Sequence, residues 1–178
     1  MHKKAEIMDE GGVRRALTRI AFEIIEKNHD VADILLAGVK TRGEFLAGRI
    51  ADKIGEVEGV RPPVLPLDIS PLRDDIPADH RPAACFPADP NIAGRTVIIV
   101  DDVLYTGRTV RAAIEAILLM GRAERIQLAV LIDRGHREVP IRPDFVGKNL
   151  PTAQSERVRV MVREVDGCDG VVILDGRK

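Results

Sequence analysis

The run V-I-I-V-D-D-V-L-Y-T-G-R-T, Val97 to Thr109, constrains the fold of this chain more than any other stretch. Four consecutive β-branched residues, Val97 to Val100, need burial on both faces, which a central strand of a parallel sheet supplies. The strand is expected to end where Asp101 and Asp102 reach solvent. Thr106-Gly107-Arg108-Thr109 then leads into a helix beginning near Val110. The first N–H groups of such a helix lack partners within it and point at whatever lies beyond the strand. That corner suits a phosphate. The two carboxylates repel phosphate but suit hydroxyls or a cation beside it, so the expected ligand is a sugar phosphate. An ordinary strand-to-helix turn with Asp as a cap is the alternative reading of the same residues.

The rest of the chain supplies an α/β frame for this corner. Asp9 can cap a helix running to about Asn28, with Val13, Ala16, Leu17, Ile20, Ala21, Ile24 and Ile25 at helical spacing. Ile34 to Val39 reads as a buried strand, followed by a polar loop, Lys40-Thr41-Arg42-Gly43. Residues 44–58 have helical patterning, and a strand follows near Val64 to Ile69. Eight of the eleven prolines fall between Pro62 and Pro90. Residues 71–93 are therefore expected to form a long exposed loop. A helix over 109–121 should end at Gly121, and Ile126 to Ile132 reads as another central strand. Valines alternating with Arg159, Met161 and Arg163, and then Asp166-Gly167, predict a terminal hairpin over 158–174 added to the sheet. The alternation of strands and helices argues for a central, mostly parallel sheet flanked by helices, with the polar loops at 40, 101 and 133 at strand carboxyl ends, where ligands bind.

Composition excludes several function classes. A formal net charge of −1 gives no global attraction to nucleic acid, so any RNA contact needs a local patch. The two cysteines, Cys85 and Cys168, and four scattered histidines show no metal-ligand spacing. Charges at Lys3, Lys4 and Glu6 argue against a signal peptide, and no apolar run is long enough for a bilayer. A cytoplasmic location and a single domain over residues 1–178 are expected.

The Val97–Thr109 run resembles the phosphoribosyl-pyrophosphate (PRPP) binding motif of the type I phosphoribosyltransferases. With R-R-A-L-T-R-I-A (Arg14 to Ala21), G-V-K-T-R-G (Gly38 to Gly43), D-I-S-x-x-R-D-D (Asp68 to Asp75) and the polar segment Leu128 to Thr152, it resembles the pyrimidine-operon attenuators that are also uracil phosphoribosyltransferases. The resemblance implies the type I fold, including a small hood and a C-terminal β-hairpin, and transfer of ribose 5-phosphate from PRPP to uracil, giving UMP and pyrophosphate. It implies that Asp101 and Asp102 hold the ribose hydroxyls near magnesium, which is carried mainly by PRPP with no protein-held metal. Thr106, Gly107, Arg108 and Thr109 would bind the 5-phosphate, and the linking residues Val103, Leu104 and Tyr105 would belong to the same substrate site. Lys40, Thr41 and Arg42 would hold the pyrophosphate. Arg73, Asp74 and Asp75 would open a mobile lid. Arg134 and the backbone near Val158 would read uracil. A bacterial, cytoplasmic homo-oligomer, dimeric or higher, is also implied.

The second implied activity is UMP-dependent binding to the leader of pyrimidine-operon mRNA. Arg15, Thr18, Arg19 and Phe22 share one helix face, flanked by Arg14 and Lys27, while Arg137, Arg142 and Lys148 add charge elsewhere. A solvated helix face is the alternative. Two residues depart from the family pattern: Phe22 stands where His is common, and Leu72 where Tyr is common. Phe22 suits stacking on an unpaired base or an apolar contact between subunits. A plain base-salvage transferase and a nucleotide-sensing RNA regulator with negligible catalysis are the other readings.

Overall fold

The computed structural model describes residues 2–89 and 91–175. Five strands, β2 (Ile34–Val39), β3 (Val64–Leu67), β4 (Thr96–Leu104), β5 (Arg125–Asp133) and β6 (Phe145–Asn149), form a wholly parallel sheet in the order β3-β2-β4-β5-β6. Helices α1 (Glu10–Lys27) and α2 (Arg42–Glu58) cover one face, and α3 (Arg108–Met120) covers the other. Side chains of β4 divide by parity. Ile98 and Val100 join Ile20, Ile24, Leu46 and Ile50 beneath α1 and α2, whereas Val97 and Ile99 meet Val110, Ala113 and Ile117 beneath α3. That two-sided burial explains the uninterrupted β-branched run.

The predicted caps are present. The Asp9 carboxylate accepts the Gly12 N–H at 2.7 Å and starts α1. Gly121 follows the last turn of α3, and its N–H closes on the Ile117 carbonyl.

Five expectations need correction. First, β4 does not stop before the carboxylates. It runs to Leu104 because β5 continues beside it, pairing Asp101 with Val130 and Leu104 with Asp133. Asp101 is consequently 6% exposed and buried rather than open to solvent. Second, the terminal hairpin, β7 (Glu156–Met161) and β8 (Gly170–Asp175), does not extend the main sheet. It forms a separate antiparallel sheet, β1-β8-β7, with the N-terminal strand β1 (His2–Met8). Third, β1 and β6 are strands that periodicity did not reveal, because both are short and polar on their outer faces. Fourth, the polar loop after β2 ends at Thr41, and Arg42 and Gly43 belong to the first turn of α2. Fifth, the proline-rich stretch is not wholly exposed. It is largely irregular with two short 3-10 turns, yet Ile92 is fully buried and Leu72 and Phe86 pack on the core. Pro90 lies outside the described residues.

Since Ile98 is fully buried in the central strand, Ile98→Ala should lower unfolding stability by about 2–5 kcal/mol. Urea denaturation measures this, and a loss under about 1 kcal/mol would be inconsistent with a packed core there.

Candidate active site

The site is assembled where β2 and β4 end. Asp101 and Asp102 are neighbours on β4, and their carboxylates accept main-chain N–H groups: Asp102 N–H donates to Asp101 at 2.9 Å and Val103 N–H donates to Asp102 at 2.8 Å. Burial pushes the Asp101 carboxyl well above its ordinary range, and the adjacent Asp102 charge adds to the shift. Burial raises Asp102 as well, opposed by the Val103 N–H and the Arg42 guanidinium. Two carboxylates under this strain favour a ligand that brings hydroxyl donors or positive charge.

Beyond them the chain turns through Tyr105 and Thr106 to Gly107, which adopts φ +92 immediately before α3. A side chain at that conformation is strained, so glycine lets the helix start abruptly with its free N–H groups facing the strand end. The Thr106 carbonyl accepts the N–H groups of Glu138 and Val139 at 2.9 and 3.1 Å, bracing the turn from the segment after β5. A cavity of about 360 Å³ lies here, lined by Asp101, Thr106, Gly107, Thr109, Arg73 and Asp75 among others.

A second cavity of about 190 Å³ adjoins it, lined by Lys40, Thr41, Arg42, Asp101, Asp102 and Thr109 among others. The two share Arg73, Asp101, Val103 and Thr109, so they form one continuous cleft. Gly43 sets the spacing: a Cβ there would lie 2.4 Å from the Val100 carbonyl oxygen. Only glycine lets the first turn of α2 approach β4 at Val100 this closely. Arg42 then reaches the hairpin, donating Nε and Nη2 to the two Asp166 oxygens at 3.1 and 2.9 Å.

Arg73, Asp74 and Asp75, expected to open a lid, line the larger part of this cleft. Arg73 pairs with Asp75, with Nε to Oδ1 at 2.8 Å. Arg108 spends its guanidinium on Asp74 and Glu138, at 2.8 and 2.7 Å. Its side chain therefore clamps the loop to the start of α3, leaving the cradle to main-chain donors and the Thr hydroxyls. Arg134 is buried, lies 3.8 Å above the Tyr105 ring centroid and donates to Thr152 Oγ1 and the Glu156 carbonyl at 3.0 and 2.9 Å. It braces the approach to β7. Val158, on β7, packs its side chain against the core, and β7 pairs on one edge with β8. Sequence reasoning missed Asp166 and Glu138 as site neighbours. Asp-Gly at 166–167 signalled a turn, not a partner for a loop 124 residues away.

Solved structures share this architecture. Hypoxanthine phosphoribosyltransferase from Trypanosoma cruzi, in complex with the product IMP, matches 98% of the chain and 92% of its own with a TM-score of 0.72 at 17% identity. That of Staphylococcus aureus gives a TM-score of 0.70 at 15% identity, covering 96% and 92%. At such identities the likeness is one of fold. The phosphoribosyl transferase domain family matches residues 4–162. Proteins named "Bifunctional protein PyrR" are 56% identical in Brevibacillus brevis, over 97% of this chain and 98% of the relative, and 51% identical in Leuconostoc mesenteroides, over 95% and 97%. The chain belongs to the phosphoribosyl transferase family, in its PyrR branch.

For a PyrR-family chain the basic surface matters, and two grooves border the expected patch on α1. Arg15 and Arg19 turn toward β6 and line a groove of about 710 Å³ with Lys148. Arg14 and Thr18 line a neighbouring groove shared with α2 and the hairpin turn. Arg15, Thr18, Arg19 and Phe22 lie on one face of the continuous helix α1, with a groove along each border of that face and Phe22 exposed. Arg19 donates to the Val146 and Gly147 carbonyls and to Glu23. Lys27 pairs with Asp144 at 2.6 Å and lies over the Phe145 ring. Arg137 points inward, bonded to Asp133 and the Tyr105, Gly135 and Ile141 carbonyls. Those bonds hold its side chain half-buried against its own segment. Arg142 is exposed within the segment after β5.

Two outcomes test this geometry. Gly43→Ala should destabilise by about 1–3 kcal/mol through the clash with Val100, read by urea denaturation; an unchanged midpoint would contradict the close approach. The Arg42 guanidinium holds the Asp166 carboxyl down at about 2, below its ordinary 3.8. A depressed folded-state value means the pair's stabilisation is complete above about pH 4 and is lost as pH falls toward 2. The stability difference between the wild type and Asp166→Asn should therefore shrink over that interval, and a difference independent of pH would contradict the ion pair.

Proposed function

We propose that this chain transfers the 5-phosphoribosyl group of PRPP to uracil, giving UMP and pyrophosphate, and that with UMP bound it binds the leader of pyrimidine-operon mRNA in the cytoplasm. Residues 1–178 act as one phosphoribosyltransferase unit within a homo-oligomer, a dimer or larger. The observation that carries the reading is the Asp101–Asp102 pair, the first buried and the second half-buried, set between an anion cradle and the segment bearing Lys40 and Arg42. A ligand with a phosphate at one end, hydroxyls in the middle and pyrophosphate at the other satisfies all three.

In this reading the 5-phosphate accepts main-chain N–H groups at Gly107 to Thr109 and the Thr106 and Thr109 hydroxyls. The ribose hydroxyls donate to Asp101 and Asp102. Those carboxylates also oppose the positive charge that grows on the ribose as its bond to pyrophosphate breaks and the bond to the uracil nitrogen forms. Lys40 and Arg42, with the Thr41 hydroxyl, hold the departing pyrophosphate. Val103, Leu104 and Tyr105 wall the ribose side, while Arg134 shapes the 152–156 turn so that the β7 backbone near Val158 meets uracil. Among the described residues no group of three or more His, Cys, Asp or Glu side chains is placed to hold a metal. The strained carboxylate pair fits magnesium arriving with PRPP, which when bound supplies charge against the leaving oxygens.

RNA contact falls to Arg15, Arg19 and Lys148 in their shared groove, with Arg14, Thr18, Lys27, Arg137 and Arg142 further from it. No helix among the described residues is long and apolar enough to cross a membrane. A plain transferase without an RNA role is the second reading, favoured by the internal bonding of Arg19, Lys27 and Arg137.

Pyrophosphate release from PRPP with uracil and magnesium should be abolished by Asp101→Asn with Asp102→Asn while the circular dichroism spectrum is retained. Near-normal turnover in that double variant would refute the ribose assignment. A gel-shift with a pyrimidine-operon leader should show UMP-dependent binding that weakens steeply with salt and falls on the order of tenfold in Arg15→Ala with Lys148→Ala. No UMP-dependent shift would leave the plain transferase.

A further inference from the structure

Arg42 opens α2 beside Lys40 and Thr41 and would hold pyrophosphate with them, yet half of its guanidinium is already engaged. Nε and Nη2 form one edge of the planar group, and both donate to Asp166 in a bidentate pair. Nη1 has no partner among the described residues. Arg42 lines the smaller cavity with Asp102, and the two feel each other's charge. The edge left free therefore belongs to the cleft, and its direction is set by the edge that Asp166 holds.

Asp166 is itself firmly placed. It ends a single helical turn, α4 (Arg163–Asp166), closed by Gly167 at φ +77. Its side chain is 8% exposed. Besides Arg42 it accepts the Val162 N–H at 3.0 Å and Arg159 Nη2 at 3.4 Å. Four donors converge on one carboxylate, so its orientation is over-determined. A free arginine carries several rotatable bonds, and fixing them before the ligand arrives lowers the cost of binding.

Resting on the transferase reading above, we propose that Asp166 is the positioning residue for pyrophosphate: it fixes Arg42 so that the Nη1 edge faces the departing anion. Asp166 touches neither substrate nor reacting atoms. Its effect passes through Arg42 and is confined to ligands that carry pyrophosphate. PRPP and free pyrophosphate depend on it, whereas UMP, which has the ribose and 5-phosphate but no pyrophosphate, does not.

The test is calorimetric binding of magnesium pyrophosphate and, separately, of UMP to the full-length wild type, Asp166→Asn, Arg42→Lys and the double variant. Asn keeps a carbonyl oxygen for the Val162 N–H, so the hairpin turn survives. The expected result is a pyrophosphate Kd raised about tenfold in Asp166→Asn, a similar rise in Arg42→Lys, and little further loss in the double variant. UMP Kd stays within twofold throughout. Asp166→Glu, which retains the charge, should recover part of the loss. A wild-type pyrophosphate Kd in Asp166→Asn would overturn the proposal alone, as would equal losses for pyrophosphate and UMP, which mark a merely structural residue. Additive losses would also overturn it. Failure of the wild type to bind magnesium pyrophosphate would remove the proposal together with the transferase reading beneath it.

Discussion

The rest of the site depends on two adjacent carboxylates held at the buried end of a central strand. Asp101 cannot turn to water, because β4 is paired with β2 along its first half and with β5 as far as Leu104. Desolvation of a carboxylate is costly unless donors or cations offset it. Main-chain N–H groups supply part of that offset, and the charges of Arg42 and Arg73 supply more. The remainder is left to a ligand. A scaffold that fixes acidic groups where solvent cannot relax them is suited to stabilising a cationic transition state.

Around this pair the cations are themselves restrained by carboxylates. Arg42 is held by Asp166, Arg73 by Asp75, and Arg108 by Asp74 and Glu138. This second ring reconciles a cleft made for polyanions with a chain of net charge −1. It also ties separate elements together. The hairpin sheet meets α2 through Arg42, and the loop after β3 meets α3 through Arg108. Positioning of the cleft is thereby distributed over segments far apart in sequence.

The frame was legible where periodicity is strong. Ile34–Val39 and the helix capped by Asp9 follow from a continuous apolar run and a helical stripe respectively. The phosphate corner was legible because Gly107 and its neighbours need particular residue types at fixed spacing. What escaped was long-range pairing. β6 holds Phe145 inward but Lys148 and Asn149 outward, too short a pattern to distinguish from loop. β1 is mostly exposed and becomes a strand only because β8 pairs with it. The Asp101 burial was missed because two acids mark a strand end unless a neighbouring strand continues past them. Arg137 illustrates the limit for surfaces: sequence gives its charge, while acceptors at Asp133, Gly135, Ile141 and the distant Tyr105 decide that it faces inward.

The most direct measurement of the central claim is a crystal structure with magnesium and PRPP bound. The account predicts the 5-phosphate within hydrogen-bond distance of the Gly107 to Thr109 N–H groups, the ribose hydroxyls on Asp101 and Asp102, and the pyrophosphate against Lys40 and Arg42. A pyrophosphate in the α3 cradle, or a ribose turned away from the two carboxylates, would contradict it.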